Sequence, residues 1–215
     1  MTWQEKIFEN FRLYGVTNLI AEQAAVLRKI EQAYQGGTDI IQLRSKVLPD
    51  AALMRLGSKI RKIAARHRRL FFINDRVDLT LAIGADGVHL GQDDMPIATA
   101  RRLIRRAGCK IWIGKSTHNL RQALEAEREG ADYIGVGPVF ATPTKPYARS
   151  VGLDFVRQAA AKIRIPWVAI GGIDLENLVS VLQAGASRVA VVRAVFSAKD
   201  PGTASLKFKY QLERH

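Results

Sequence analysis

The strongest constraint on the fold is a phrase that recurs four times. Its copies are Gly36-Gly37-Thr38-Asp39-Ile40-Ile41-Gln42-Leu43, Gly84-Ala85-Asp86-Gly87-Val88-His89-Leu90, Gly130-Ala131-Asp132-Tyr133-Ile134-Gly135-Val136 and Gly185-Ala186-Ser187-Arg188-Val189-Ala190-Val191. Each opens on a glycine, which suits the left-handed turn that ends a helix. A short polar stretch and an apolar strand follow. The spacing between copies is about twice one strand–helix unit. Four further strand candidates precede and separate them, at residues 13–17, 70–73, 111–114 and 167–170. Apolar residues at three- and four-residue spacing predict helices over 51–66, 97–106, 156–162 and 175–183, and Asn119 suits the N-cap of another over 120–129.

Strands rich in Val, Ile and Leu that alternate with helices require parallel neighbours and burial on both faces. In 215 residues that succession predicts an α/β fold, a (βα)8 TIM barrel. An open doubly wound sheet would not need the fourfold echo. No break in composition divides the chain. One domain over 1–215 is expected, with a short helical lead-in before Leu13 and a polar tail over 198–215.

A barrel of this kind presents its chemistry where strands give way to loops, and seven such places carry suitable groups. Alternation along Gln42-Leu43-Arg44-Ser45-Lys46 puts Gln42, Arg44 and Lys46 on one face. Arg44 offers a planar fork for phosphate oxygens and Lys46 a compact charge, whereas a strand end dissolving into a charged loop would need neither. Asn74-Asp75 and Gln92-Asp93-Asp94 end the next two strands. Asp75 with Asp93 or Asp94 would supply the one or two carboxylates that magnesium takes alongside phosphate and water, and each aspartate also suits a helix cap.

The fifth strand ends at Gly114-Lys115-Ser116-Thr117-His118. Ser116 reads as a hydrogen-bond donor to a ligand, and His118 as a residue near a helix start with an acid/base role held in reserve. Thr142-Pro143-Thr144-Lys145 reads equally as a rigid surface loop or a ligand clamp. Gly171-Gly172 and Val192-Arg193 close the last two strands, the frequent phosphate-binding position of this barrel. The residues thus imply two anion sites, one with a metal. They do not name the organic groups.

The formal charge of +13 comes largely from runs such as Arg66-His67-Arg68-Arg69 and from Arg101, Arg102, Arg105 and Arg106. Without interleaved aromatics these read as solvated helix faces, and a nucleic-acid surface is not expected. The single cysteine, Cys109, excludes an internal disulfide, the start Met1-Thr2-Trp3-Gln4-Glu5-Lys6 is polar, and no apolar run approaches a membrane span. A cytoplasmic protein is expected, with small phosphorylated molecules as partners and self-association into a homo-oligomer left open.

At these motifs the chain resembles the thiamine-phosphate synthase family, over roughly residues 13–196. The resemblance rests on Gln42-Leu43-Arg44-x-Lys46, Asn74-Asp75, Gly87-x-His89-Leu90-Gly91-Gln92-x-Asp94, Gly114-x-Ser116, Thr142-x-Thr144-Lys145 and Gly171-Gly172-Ile173. It implies a magnesium-dependent transferase. The reaction joins 4-amino-5-hydroxymethyl-2-methylpyrimidine diphosphate to 4-methyl-5-(2-hydroxyethyl)thiazole phosphate, giving thiamine monophosphate and diphosphate. By the resemblance, Gln42, Arg44, Lys46, Asn74, Ser116 and Lys145 hold the pyrimidine diphosphate, and Asp75 and Asp94 the magnesium. Thr142, Thr144, Gly172, Val192 and Arg193 hold the thiazole phosphate, although many relatives carry a small hydroxyl residue where Arg193 stands. Arg44, Lys46, Ser116 and Lys145 would act on the leaving diphosphate. A rival of the same fold, the thiazole tautomerase, relies on a histidine near the end of the fifth strand, a place His118 fills. A non-catalytic basic barrel would leave the phosphate and metal groups without purpose.

Overall fold

A computed structural model describes residues 1–19, 25–142 and 149–215. Eight strands close a barrel in chain order: β1 (Leu13–Val16), β2 (Ile40–Leu43), β3 (Leu70–Asn74), β4 (Gly87–Leu90), β5 (Trp112–Thr117), β6 (Tyr133–Val136), β7 (Trp167–Ile170) and β8 (Val189–Val191). Every neighbouring pair is parallel, and β1 closes on β8 through Leu13 opposite Val189. The repeated phrases supply the even-numbered strands, as the sequence predicts. β5 runs three residues beyond the expected end, so Lys115, Ser116 and Thr117 lie on the strand itself.

The acidic residue of the repeat has a structural use. Asp39 Oδ2 accepts from the Leu13 amide at 3.1 Å, Asp86 Oδ2 from Phe71 at 2.9 Å and Asp132 Oδ2 from Ile113 at 2.6 Å. Each carboxylate therefore satisfies an amide at the start of the preceding strand, a group the ladder leaves unpaired. Each also meets an arginine: Arg69 on Asp39, Arg61 on Asp86 and Arg101 on Asp132. Part of the excess charge is thus committed to the barrel's lower edge, and Arg101 is not on a merely solvated face. Gly84, Gly130 and Gly185 take the left-handed turn, with φ of 70°, 85° and 103°. In the first copy the turn falls on Gly37 instead, at φ 96°.

Around the barrel run α2 (Val26–Gln35), α3 (Asp50–Arg66), α4 (Val77–Ile83), α5 (Ile97–Arg106), α6 (Leu120–Arg128), α7 (Gly152–Lys162), α8 (Leu178–Gln183) and α9 (Arg193–Phe196). Outward strand residues such as Ile41, Leu43, Ile73 and Val88 pack against their apolar faces. A separate cluster fills the barrel interior, including Phe72 and Tyr133. Glycines on adjacent strands make room for these two rings. A Cβ on Gly87 would lie 2.5 Å from the Phe72 ring, and one on Gly114 would lie 2.2 Å from that of Tyr133. The lead-in before β1 forms α1 (Trp3–Asn10), opened by a Thr2–Glu5 capping box. Its Phe8 joins the interior cluster and stacks on Trp112, with centroids 4.5 Å apart.

The expected polar tail is instead a thirteen-residue helix, α10 (Pro201–Glu213), capped by Asp200. Phe208 is fully buried, and Lys209 Nζ reaches Asp39 Oδ2 at 3.0 Å. Its first turn presses on Gly36, where a Cβ would lie 2.1 Å from the Gly202 carbonyl oxygen. The polar composition hid these few inward residues. Among the described residues no helix is long and apolar enough to cross a membrane, and Cys109 is exposed and free.

Candidate active site

A cavity of about 460 Å³ opens at the C-terminal end of the strands. That volume suits a small organic ligand. Gln42, Arg44, Asn74 and Ser116 line one side, and Thr142, Gly172, Val192 and Arg193 also face into it. Expected residues from six different strand ends are thereby brought to one space. Thr144 and Lys145 lie outside the described residues.

Gln42 points inward from β2 with only 3% of its surface exposed, and its Nε2 donates to the Tyr14 hydroxyl at 2.9 Å. Arg44, just beyond the strand, donates to Asn18 Oδ1. Burial lowers its pKa, and the charge of Asp75 opposes that shift. An arginine so placed stays charged, since its ordinary value is far above neutrality.

Asp75 and Asp94 meet at the rim, beside Asn74. Their side chains share a hydrogen bond, and Lys46 Nζ donates to Asp75 Oδ2. Burial and then the neighbouring Asp94 push the Asp75 carboxyl above the usual carboxylate range. Burial opposes ionisation of Asp94 too. Hydrogen bonds from Asp75 and the Gly91 amide, with the charges of Lys46 and Lys115, nevertheless hold it low. The two carboxyl groups are therefore pushed in opposite directions, Asp75 up and Asp94 down. Neither aspartate caps a helix: the N-cap positions of α4 and α5 are Arg76 and Pro96, and neither makes a side-chain cap. Asp75 instead adopts φ 62°, a left-handed conformation in which Asp is among the few tolerated side chains.

His118 follows β5 and lines the same cavity. Its Nδ1 donates to the Gly137 carbonyl oxygen at 2.5 Å, which leaves Nε2 for a ligand. Across the mouth, Gly171 and Gly172 have φ of 105° and 65°. What approaches these glycines closely is the chain's own loop. A Cβ on Gly171 would stand 2.5 Å from Pro138 Cα, and one on Gly172 would stand 2.8 Å from the Ala141 carbonyl oxygen. Phe140 donates its amide to Gly171 O at 3.0 Å, so the loops after β6 and β7 are fastened together.

Three residues that stand in the quoted motifs without a role of their own also enter the site. Lys115, 8% exposed, donates to Gly91 O at 2.6 Å and steadies the turn that carries Asp94. Gln92 Nε2 donates to the Ser116 carbonyl oxygen at 2.5 Å. His89 bridges Tyr133 and Ser116. A polar residue on the inward face of an apolar strand was the available signal for His89, as it was for Gln42.

The family model for thiamine monophosphate synthase matches residues 13–195. The thiamine-phosphate synthase of Gloeobacter violaceus is 48% identical over 203 residues, which cover 94% of this chain and 58% of that protein. The Synechocystis thiamine-phosphate synthase is 46% identical over 202 residues, 94% of this chain and 57% of that protein. The chain thus spans somewhat more than half the length of these relatives. A solved structure of thiamine phosphate pyrophosphorylase from Pyrococcus furiosus superposes with a TM-score of 0.86 at 37% identity, covering 95% of this chain and 96% of that one. Closed barrel, motif set and sequence identity agree, and the chain belongs to the thiamine monophosphate synthase family.

Proposed function

We propose that this chain joins 4-amino-5-hydroxymethyl-2-methylpyrimidine diphosphate to 4-methyl-5-(2-hydroxyethyl)thiazole phosphate, giving thiamine monophosphate and diphosphate. The observation that carries this reading is one cavity bordered by Arg44, Asn74 and Ser116 on one side and by Gly172, Val192 and Arg193 on another. Such an arrangement suits two phosphorylated substrates held together.

The Asp75–Asp94 pair fits a divalent cation. Two ionised carboxylates in contact repel one another unless a cation lies beside them, and Lys46 lies against Asp75 here. Among the described residues no cluster of three or more His, Cys, Asp or Glu is gathered for a metal. The remaining positions around magnesium would fall to phosphate oxygens and water. When bound there, magnesium would neutralise charge on the diphosphate.

Arg44 and Lys46 would stabilise the negative charge that grows as the bond between the pyrimidine methyl carbon and the diphosphate oxygen breaks. The thiazole nitrogen then attacks that carbon. Gln42 and Ser116 would hold the pyrimidine ring, while Thr142, Gly172 and the Val192-Arg193 turn hold the thiazole phosphate within reach. Lys145 is assigned to the diphosphate by the family motif alone, as Thr144 is to the thiazole phosphate. The low exposure of the cavity floor would limit attack by water on the electrophilic carbon.

The test is to incubate both substrates with the purified protein, with and without magnesium, and to measure thiamine monophosphate by chromatography. Magnesium-dependent product is expected. Folded protein that yields none would overturn the proposal.

A further inference from the structure

Five side chains form an unbroken hydrogen-bonded chain across the barrel. Gln42 Nε2 donates to the Tyr14 hydroxyl at 2.9 Å, the Tyr14 and Tyr133 hydroxyls are 2.9 Å apart, Tyr133 lies 2.9 Å from His89 Nδ1, and His89 Nε2 lies 2.9 Å from Ser116 Oγ. The members come from β2, β1, β6, β4 and β5. Four of them line the cavity, whereas Tyr133 is fully buried and does not. Both ends of the chain therefore open on the ligand space, and its middle is sealed from it.

The direction of these bonds follows from counting protons. Burial raises the pKa of both phenols, so each is neutral and carries one hydrogen. Tyr14 accepts from Gln42 and must donate onward to Tyr133. Tyr133, having accepted, must donate to His89 Nδ1. A neutral imidazole that accepts at Nδ1 carries its hydrogen on Nε2, and that hydrogen goes to Ser116 Oγ. The Ser116 hydroxyl hydrogen is then left for a ligand. At the other end the Gln42 amide, tied down through Nε2, keeps Oε1 as an acceptor.

We propose that this one-way hydrogen-bond chain sets the selectivity for the ring, making Tyr14, Tyr133 and His89 positioning residues that fix an acceptor at Gln42 and a donor at Ser116. The inference rests on the synthase reading and goes beyond it. An amino group beside a ring nitrogen presents a donor and an acceptor, the complement of that pair. The 4-oxo analogue presents a carbonyl beside a ring N–H, which is the reverse. To accept it, every bond in the chain would have to turn over together. A site built to pair with one pattern leaves polar groups unpaired with the other, which commonly costs one to several orders of magnitude in affinity.

The first arm of the test is nitrogen-15 NMR on the ligand-free protein. It has four histidines, and the His89 signals are assigned by their loss in His89→Gln. The expected result is a neutral ring with the hydrogen on Nε2. A hydrogen on Nδ1 would overturn the proposed direction.

The second arm compares binding of the 4-amino and 4-oxo pyrimidine-methyl diphosphates by calorimetry in the presence of magnesium. The native protein is expected to favour the amino compound by roughly 100-fold. Tyr133→Phe breaks the chain without altering a group that faces the ligand, and removes the donor that sets the His89 tautomer. The preference is then expected to fall below roughly 10-fold, mostly through tighter binding of the oxo compound. Tyr14→Phe cuts the same chain elsewhere and serves if Tyr133→Phe does not fold. An unchanged preference in a folded variant would overturn the proposal. Failure of both compounds to bind the native protein would overturn the synthase reading together with the selectivity, while the NMR result would still report the chain's direction.

Discussion

Asp75, at the turn after β3, hydrogen-bonds through its side chain to Asp94, from the loop after β4, and Lys46 lies against the same carboxyl group. The pair concentrates potential negative charge beside the cavity, an arrangement that a divalent cation would complete. Asp75→Asn and Asp94→Asn each remove one carboxylate while keeping a similar shape. Asparagine also tolerates the left-handed backbone at position 75. Each variant is expected to weaken magnesium binding at least roughly tenfold with an unchanged circular dichroism spectrum. Calorimetric titration with magnesium and the pyrimidine diphosphate checks this, and native-like affinity in both variants would remove the metal assignment.

Gly171 combines a left-handed φ with a contact that leaves no room for a methyl group. Gly171→Ala should cost about 2–4 kcal/mol, from backbone strain and the clash with Pro138. It should also weaken binding of the thiazole phosphate, because the loops after β6 and β7 would part. Urea unfolding and a binding titration measure the two effects; a loss under 1 kcal/mol would contradict the packing argument.

His118 separates the synthase from the tautomerase reading. Its anchored Nδ1 leaves Nε2 facing a ligand, which is the geometry of a proton-transfer residue. In the coupling reaction as proposed, His118 moves no proton. His118→Asn should therefore keep kcat within about threefold, whereas general acid–base catalysis would be worth about 100-fold or more. Steady-state kinetics with both substrates decides.

Phe208 anchors α10 to the barrel wall and is fully buried. Phe208→Ala should destabilise the protein by roughly 3–5 kcal/mol. A loss below 1 kcal/mol in chemical denaturation would mean that α10 is dispensable, as a tail would be.

Asp86 gives a pH signature. Burial raises its carboxyl above the ordinary value of 3.8, and Arg61 and the Phe71 amide offset only part of that. The folded state thus holds this proton more tightly than the unfolded chain. The resulting stability is fully present below about pH 3.8 and is lost as pH rises through the folded-state value. Asp86→Asn removes the titration while keeping an acceptor for Phe71. The native protein's melting temperature, relative to the variant's, should fall over that interval and then level off. A difference that is flat with pH, or that rises, would refute the sign.

The barrel was legible because its cause is local and repeated: a glycine turn and a Val/Ile-rich strand four times over, with an aspartate between them in three of the four copies. The candidate site was partly legible for a similar reason. Period-two alternation fixes which face Gln42 and Arg44 share, and strand ends lie at the mouth by topology. The C-terminal helix was misread because composition averages over its faces. Phe208, Leu212 and the stem of Lys209 do the docking, while Leu206 and Tyr210 remain exposed.

The sequence by itself determined the order of elements, the inward polar positions and the family motifs. Only the tertiary structure decided which polar groups meet. Tyr14 and Tyr133 are 119 positions apart, and nothing in either neighbourhood predicts that their hydroxyls touch. Their meeting depends on barrel closure and on the register between strands, which sets the height of each inward side chain. The same holds for Asp75 and Asp94. The chain supplies two carboxylates, but the left-handed turn at Asp75 and the Lys115-braced loop bring them together.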